Sequence, residues 1–454
     1  MSTKPSARQS RTSNQDQALA GSPYRALYDM VLGDEEARAC KDISEEACKE
    51  QPRSFGVHVV ALTLTKIGDG LADAKLTLAW LFASLGVPAA FVSWLVPVRE
   101  SLSLLPQLLI ASRIRLFARR KLFWTFGSLV QGVCVAGIGV AGLFLKGTPA
   151  GWVMLGLLVV FSLARGVCSI SIKDVMGKTI AKQRRGRLSG LSASAAGFAT
   201  LIFGGLLVLD LVPTADAAIM SGLLIFAGGL WVSAALVYAG LEEYPGATEG
   251  GRNGFREAIA SLNILVRDAV FRHFIITRSL FISTALVAPF YVMLASQKTE
   301  GGLSTLGLLL LLAGLANLIS SPFWGKFADA SSKTVLVAAG TLCGSLALVV
   351  TIVSVLDWPV AHHPAWYAGV IFVLYIGHAG VRLGRKTYLV DMANQENRAK
   401  LVAVSNTVIG VVLLATGGLS TLVAQSGALG AVMTFGAFSF VAAFCAHRMQ
   451  DVSG

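Results

Sequence analysis

The sequence predicts an all-α membrane protein with twelve transmembrane helices arranged as two pseudo-symmetric six-helix bundles. The composition gives the first evidence, because 54% of the 454 residues are hydrophobic and only 14% are charged, against about 25% charged in soluble proteins. The apolar residues fall into twelve membrane-length stretches, and the second half repeats a pattern of the first. So few charges cannot cover the apolar surface of a soluble fold. This excludes a disordered scaffold, a small secreted disulfide-rich domain and a free cytosolic enzyme.

The spans follow from length, since a helix needs about 20 predominantly apolar residues to cross the hydrocarbon core. The stretches that qualify are 57–82, 88–112, 122–145, 151–172, 188–209, 217–240, 272–296, 303–325, 334–356, 365–385, 400–424 and 427–447. Polar segments precede the first stretch and follow the sixth. The chain therefore divides into a partly disordered N-terminal tail, a first bundle, a linker and a second bundle, at 1–54, 55–240, 241–271 and 272–450. Both polar segments contain an amphipathic pattern typical of helices on a membrane surface, although the tail could instead bind a regulatory protein.

Basic residues indicate the orientation, because Lys and Arg accumulate in cytoplasmic loops. Connections after the even-numbered spans carry 22 basic residues, whereas the opposite set carries two, Lys146 and Lys298. Both termini are therefore expected in the cytoplasm, in a multi-pass protein of the cell (inner) membrane. The net charge of +12 is explained by topology rather than by a nucleic-acid-binding surface.

An internal repeat supports the division into two halves. At an offset of 213 residues, the fifth span aligns with the eleventh, with eight identities in 22 positions. The pairs include Arg185 with Arg398 and Gly204 with Gly417. Such repeats are common in secondary transporters, and the glycines would let a neighbouring helix approach closely.

The loop after the eighth span carries the most specific motif. Gly325 is followed four residues later by Asp329 and four beyond that by Lys333. This spacing, with the twelve spans and the repeat, resembles the major facilitator superfamily, although Ala330 and Ser332 depart from its loop signature. The resemblance implies a secondary transporter that works by alternating access. It also implies a structural or gating role for these three residues, in which the aspartate bridges to the other half.

Eight charged residues lie inside the predicted spans when those at the span ends are counted with the cytoplasmic connections. Insertion scales place each central charge at roughly 2.5–3.5 kcal/mol, so these side chains are expected to face a cavity or one another. The eight are Lys66, Asp69, Asp73, Lys75, Arg99, Glu100, Arg165 and Arg278. On a continuous helix Asp69 and Asp73 share a face with Lys66, which indicates either a proton-coupling site or a structural Lys–Asp cluster. Arg99 and Glu100 point apart and are expected to form structural bridges with partners such as Lys75 and Asp73.

The resemblance implies that spans 1, 4, 7 and 10 line a central cavity. Arg165 and Arg278 lie on two of these spans, and the repeat aligns Arg165 with His378 on a third. Surplus positive charge favours an anionic solute, because guanidinium groups bind carboxylate or phosphate through two hydrogen bonds. The alternative is that these arginines neutralise the three acids. His378 is either a hydrogen-bonded helix residue or a proton relay.

The sequence thus predicts a proton-coupled secondary transporter of a small organic, anionic solute. Lys66, Arg165, Arg278 and His378 are the expected solute contacts, and Asp69 and Asp73 the expected proton-coupling groups. Two alternatives remain: multidrug-type efflux of amphipathic compounds, and a non-transporting protein that assists assembly or sensing. No enzyme activity, cofactor, metal or nucleic acid is expected. The expected partners are the solute, protons and the bilayer, with the chain as a monomer.

Overall fold

The computed structural model of the chain describes residues 43–105, 113–114, 116–209, 217–246, 262–299, 302–393 and 398–452. This part of the chain is helical throughout and contains no strand. Ten of its helical segments are long and apolar enough to cross a membrane. The protein is therefore a multi-pass integral membrane protein. The predicted amphipathic helix of the N-terminal tail lies outside the described residues, as does the middle of the linker, residues 247–261.

We number the helices in chain order. In the first half they are α1 Glu45–Lys49, α2 Gln51–Leu71, α3 Thr77–Ser84, α4 Ala89–Leu104, α5 Lys121–Phe144, α6 Gly147–Thr179, α7 Lys182–Val208 and α8 Ala217–Ala239. In the second half they are α9 Ile264–Arg267, α10 Ala269–Leu280, α11 Ser283–Leu286, α12 Ala288–Lys298, α13 Gly302–Ala330, α14 Ser332–Val355, α15 Pro364–Met392, α16 Arg398–Ala424 and α17 Gly427–His447. A 3₁₀ turn, Pro359–His362, precedes α15.

The first predicted span, 57–82, is not one helix. α2 ends at Leu71, and α3 begins only at Thr77. In between, the Asp73 carboxylate accepts hydrogen bonds from the backbone N–H groups of Lys75, at 2.8 Å, and Leu76, at 3.1 Å. Aspartate bonds of this kind compete with the helical carbonyl acceptors. The prediction of a continuous helical face for Asp69 and Asp73 is therefore wrong.

Other boundaries also differ from those predicted. The seventh stretch, 272–296, is divided into α10, α11 and α12, with Pro289 at the start of the last. Proline has no N–H to donate and is tolerated in a first helical turn. α15 continues to Met392, seven residues beyond its predicted end at 385. Arg382 and Arg385, at the end of the predicted span, were counted with the cytoplasmic connection but lie on the helix.

The two halves of the chain meet along two helix pairs, α4 with α16 and α7 with α13. Glycines set the second crossing. A Cβ atom at Gly204 would lie 3.1 Å from the backbone nitrogen of Leu311, and one at Gly307 would lie 2.6 Å from Leu207 Cβ. Such contacts require the small side chain. Farther along, a cavity is lined by residues of α7 between 193 and 201 and residues of α13 between 310 and 318, so α7 and α13 diverge from their crossing.

One end of the molecule is closed. There α3 packs against α12, and the buried apolar side chains of both halves form one continuous cluster, which includes Phe82 and Tyr291. At the opposite end, the buried clusters of the described residues belong to one half or the other. The connections after α3 and α5 lie at the closed end, where the N–H of Gly147 donates to the carbonyl oxygen of Leu85. These connections, 85–88 and 145–146, contain a single basic residue, Lys146. We call the end where α3 packs against α12 the closed end below.

Candidate functional site

Asp69, on the last turn of α2, joins two arginines from other helices. Its Oδ1 accepts from Arg99 of α4 at 2.9 Å and also from Arg165 of α6. Arg99 is buried, donates to the carbonyl of Ala72 at 2.6 Å, and lies over the ring of Phe161. The expected partners of Arg99 and Glu100, Asp73 and Lys75, are wrong, because Asp73 accepts from backbone N–H groups and Lys75 lies against His378. Arg99 is nevertheless a structural bridge, as predicted.

The other two acids carry no such pairs. Within the described residues, neither Asp73 nor Glu100 has a cation within 4 Å. Glu100 is exposed to the space between the halves. Protonating Asp69 would leave two guanidinium groups uncompensated, whereas protonating Asp73 or Glu100 would break no ion pair. The three carboxylates therefore have different electrostatic surroundings.

Lys75 connects the two halves of the protein. Its Nζ lies 3.2 Å from Nε2 of His378 on α15, and His378 Nδ1 lies 3.0 Å from Oγ1 of Thr284 on α11. An ammonium group only donates, so Nε2 accepts and Nδ1 carries the hydrogen that it donates to Thr284. Thr284 in turn donates to the carbonyl of Phe281 at 2.8 Å. His378 is thus part of a hydrogen-bond chain, consistent with the first of its two predicted roles.

Arg278 contacts neither Asp69 nor the Lys75–His378 pair. It is buried within the second half, where it donates to Ser405 Oγ and, at 3.1 Å, to Asn406 Oδ1 of α16. No carboxylate among the described residues pairs with it, so the prediction that it neutralises one of the three acids is wrong. Lys66 does not bind these acids either. Its Nζ donates to the carbonyl of Ser189 on α7 at 3.1 Å rather than to Asp69 or Asp73.

Two adjoining cavities lie between the halves. The small cavity, about 240 Å³, is strongly charged and is lined by Asp69, Gly70, Asp73, Ala74, Lys75, Val96, Arg99, Glu100, Arg165 and Arg382. The large cavity, about 840 Å³, lies between α2, α7, α13 and α15 and includes Lys66, Tyr375, Leu201 and Leu310 in its lining. Gly70, Asp73 and Arg382 line both cavities. Ligand sites commonly have volumes of this order.

Four of the predicted site residues therefore meet here. Lys66, Asp69, Asp73 and Arg165 line one or both cavities, His378 is joined to the small cavity through Lys75, and Arg278 lines neither. The described residues contain no group of three His, Cys, Asp or Glu side chains that could hold a metal ion.

Arg382 lines both cavities but was not predicted as a site residue, because its position in the sequence was assigned to a cytoplasmic connection. The side chain is exposed and donates to Asn317 Oδ1 of α13 at 3.2 Å. One signal could have identified it. It follows His378 by four residues and Tyr375 by seven, which places all three on one face of a continuous helix.

The loop motif is only partly described. Gly325 lies within α13 beside open space, and Lys333 lies in the first turn of α14 with no ion pair among the described residues. The side chain of Asp329 lies outside the described residues. The junction itself is held by Ser332, whose hydroxyl donates to Asp391 of α15 at 3.1 Å. The gating role of Gly325, Asp329 and Lys333 remains a prediction.

The Lys75–His378 bond gives a testable prediction. In the Lys75→Gln variant we expect the closed end to open more readily, by about tenfold in population, because a hydrogen bond to a charged group contributes about 1.5–3 kcal/mol. Spin labels at Ser84 and Gln297, exposed residues of α3 and α12, would report the change as a longer distance. The Lys386→Gln variant, on the exposed surface of α15, is the control. An unchanged distance distribution in Lys75→Gln would contradict the prediction.

Comparisons with known proteins agree with this architecture. No family model and no curated protein sequence matches the chain, but solved structures do. A POT family transporter in complex with a thioalcohol-conjugated peptide is 13% identical, with a TM-score of 0.64 over 86% of this chain and 95% of the other. The nucleoside transporter NupG is 13% identical, with a TM-score of 0.62 over 87% and 99%. The E. coli xylose transporter XylE, in an inward open conformation, is 10% identical, with a TM-score of 0.62 over 88% and 96%.

All three proteins are transporters rather than enzymes, and all three have the major facilitator fold. At identities this low the likeness concerns the fold and not the solute. It extends over nearly the whole of each neighbour, so both halves of the chain take part in it. The chain therefore has the fold of the major facilitator superfamily of membrane transporters.

Proposed function

We propose that this protein is a secondary active transporter that moves a small organic anion across the membrane, coupled to protons, by alternating access. The observation that carries the proposal is the small cavity between the halves. Cationic and carboxylate side chains of α2, α4 and α6 meet Arg382 of the second half there. Charges are expensive at membrane depth and mark solute or proton pathways.

The proposed mechanism uses the difference between the two ends. We assign the cytoplasm to the end opposite the closed end, because the connections there hold most of the Lys and Arg residues. The closed end, with α3 packed on α12, would then be the outer end, and the conformation inward-facing. We further propose twelve spans in two pseudo-symmetric bundles, with α2 and α3 together forming the first span and α4 the second.

Charge supports an anionic solute. The lining of the small cavity has four cations, Lys75, Arg99, Arg165 and Arg382, against three carboxylates. Lys66 adds a further cation in the large cavity. Arg99 and Arg165 are both engaged with Asp69, and Lys75 is joined to His378. Arg382 and Lys66 are therefore the cations that an incoming anion could reach without breaking either of these interactions. We therefore assign the first solute contacts to these two residues and to the exposed part of Arg165.

Asp73 is the better of the two predicted proton-coupling groups, with Glu100 beside it. Both acids line the small cavity, and neither has a cation within 4 Å among the described residues. Uptake of a proton there would add positive charge to the cavity and favour anion entry. Release of the proton and the anion to the cytoplasm would complete the cycle. Among the structural neighbours, the D-xylose–proton symporter carries a proton with its solute, which supports this coupling by analogy.

Uptake into proteoliposomes tests the solute contact. The Arg382→Ala variant is expected to take up small organic acids at least about tenfold more slowly under a pH gradient, since a charge-assisted hydrogen bond contributes about 1.5–3 kcal/mol. Lys386→Ala, one turn further along α15 and outside both cavity linings, should keep the wild-type rate. Wild-type uptake confined to neutral or cationic compounds would contradict the proposed function.

A second variant tests the coupling. In Asp73→Asn the acid can no longer exchange a proton, so anion uptake should lose its acceleration by the pH gradient while exchange of solute between equal pools continues. Asp73→Asn keeps an acceptor oxygen for the backbone N–H groups of Lys75 and Leu76. Gradient-driven uptake at the wild-type rate would assign the coupling to another group.

A further inference from the structure

The large cavity has a chemistry that the proposed function does not use. Apart from Lys66, Asp73, Asn317 and Arg382, and a few hydroxyl groups, its lining is apolar or glycine. It is several times larger than the small cavity and adjoins it along Gly70, Asp73 and Arg382. A small carboxylate would fill only the charged part, so the combined space fits a molecule with one charged end and one apolar end.

The large cavity also opens sideways. It lies where α7 and α13 diverge from their glycine crossing, and Phe198 of α7 and Leu318 of α13 line it while remaining 67% and 66% exposed. Ile202 and Ile319, beside them, are exposed as well. Large apolar side chains this exposed on membrane-spanning helices face acyl chains. A molecule dissolved in the bilayer could therefore enter between α7 and α13.

The charged side chains of the lining determine where the charged and apolar ends of such a molecule would lie. The polar wall of the large cavity includes Lys66 and Arg382. Arg382 and Asp73 lie on its boundary with the small cavity, whereas Lys66 lines the large cavity alone. An anionic head group placed there would contact two cations that hold no carboxylate within 4 Å among the described residues. A cationic head group would face the same two cations at close range. The arrangement therefore favours an anion over a cation of the same shape.

We propose that the transported anion is a single-chain amphiphile, with its head group at Lys66, Arg382 and the small cavity and its apolar chain in the large cavity between α7 and α13. This inference rests on the proposed function and specifies its substrate class. The apolar chain contributes binding energy through burial, and the sideways opening lets it enter without crossing water.

The test uses the full-length protein in phosphatidylcholine nanodiscs and the alkanesulfonates from ethanesulfonate to octanesulfonate. Sulfonates stay anionic and do not carry protons across bilayers. Binding is followed by the shift in thermal unfolding temperature as each compound is titrated. We expect the affinity to rise about fourfold for each methylene group that enters the cavity. Alkyltrimethylammonium ions of the same length should not compete.

Two matched variants locate the alkyl chain of the bound sulfonate. Gly197 lines the large cavity and Gly190 lies seven residues earlier on α7, outside both cavity linings, and a Cβ at either would meet nothing within 4 Å. Gly197→Leu should remove the gain with chain length and leave ethanesulfonate binding unchanged. Gly190→Leu should behave as the wild type. Ser194→Phe, at a second exposed lining position, should reproduce the effect of Gly197→Leu.

The outcomes separate this inference from the proposed function. If ethanesulfonate binds and longer chains add nothing, the amphiphile is refuted while the small-anion transporter stands. If no sulfonate of any length binds, both are refuted. An equal gain with chain length in Gly197→Leu and Ser194→Phe would show that the chain does not lie in the large cavity. Stabilisation by phosphatidylglycerol nanodiscs, with no further shift from octanesulfonate, would identify a bilayer lipid as the occupant and overturn the single-chain assignment.

Discussion

Replacing Asp69 with asparagine is expected to lower the free energy of unfolding by about 2–4 kcal/mol and to abolish solute uptake. Asp69 is the shared anion of Arg99 and Arg165. Without it, two guanidinium groups face each other at membrane depth. Removing one partner of a buried ion pair costs about 3–5 kcal/mol. We expect a loss around the lower end of that range or slightly below it, because the Arg165 side chain is 35% exposed.

The measurement is equilibrium unfolding in mixed micelles, beside uptake into proteoliposomes. Glu100→Gln is the matched control, because Glu100 lines the same cavity but has no cation within 4 Å among the described residues. Its stability should stay within about 0.5 kcal/mol of the wild type. A further replacement, Arg165→Gln, should restore part of the stability lost in Asp69→Asn, since it removes the uncompensated charge. Additive losses in the double variant would refute the coupling between these residues.

The second large effect is expected at Glu243, just after α8. Its side chain is fully buried, and its oxygens accept from the backbone N–H groups of Arg120 and Lys121, at 2.7 and 2.6 Å, and from Lys178 Nζ at 3.0 Å. Lys121 begins α5, so this carboxylate satisfies N–H groups that the first turn of a helix leaves without intrahelical partners. Glu243→Ala would leave those backbone donors without their acceptor, and the Lys178 ammonium would keep only Asp174 and the carbonyl of Ala118 as partners.

We expect Glu243→Ala to cost about 3–5 kcal/mol of unfolding free energy. The neighbouring Glu242 supplies the control, because it is 53% exposed and pairs with the exposed Arg53 at 3.5 Å. Glu242→Ala should cost no more than about 1 kcal/mol. Unfolding in mixed micelles measures both variants side by side. Equal stabilities for the two would mean that the buried carboxylate contributes no more than a surface charge.

Much of the fold follows from the sequence because the bilayer acts on each segment separately. A helix that crosses the hydrocarbon must be apolar along its own length, whatever it packs against. For this reason the ten membrane-length helices coincide with predicted stretches. The predicted spans and termini, the central loop, the repeat around Gly204 and the loop motif at Gly325 together predicted the major facilitator fold, which the structural neighbours confirm. The glycine at position 204 indeed lies at a close helix crossing.

The sequence predicted several residues that line the candidate site, but it did not predict which of them contact one another. Asp69, Asp73 and Arg165 were selected because charges are costly in lipid, and all three line the small cavity. The shared face of Asp69 and Asp73 was wrong, because helical periodicity was applied across a break that Asp73 itself stabilises. Periodicity describes a face only as far as the helix continues.

The sequence by itself determined that this is a helical, multi-pass membrane protein and which side chains are too polar for lipid. Only the tertiary structure decided that Arg278 is bonded within the second half, that Arg382 reaches the cavity, and that Lys75 meets His378 across 303 residues of chain. The physical reason is that hydrocarbon selects residues one segment at a time. An ion pair or a cavity wall instead depends on where distant helices meet, and no local pattern records that.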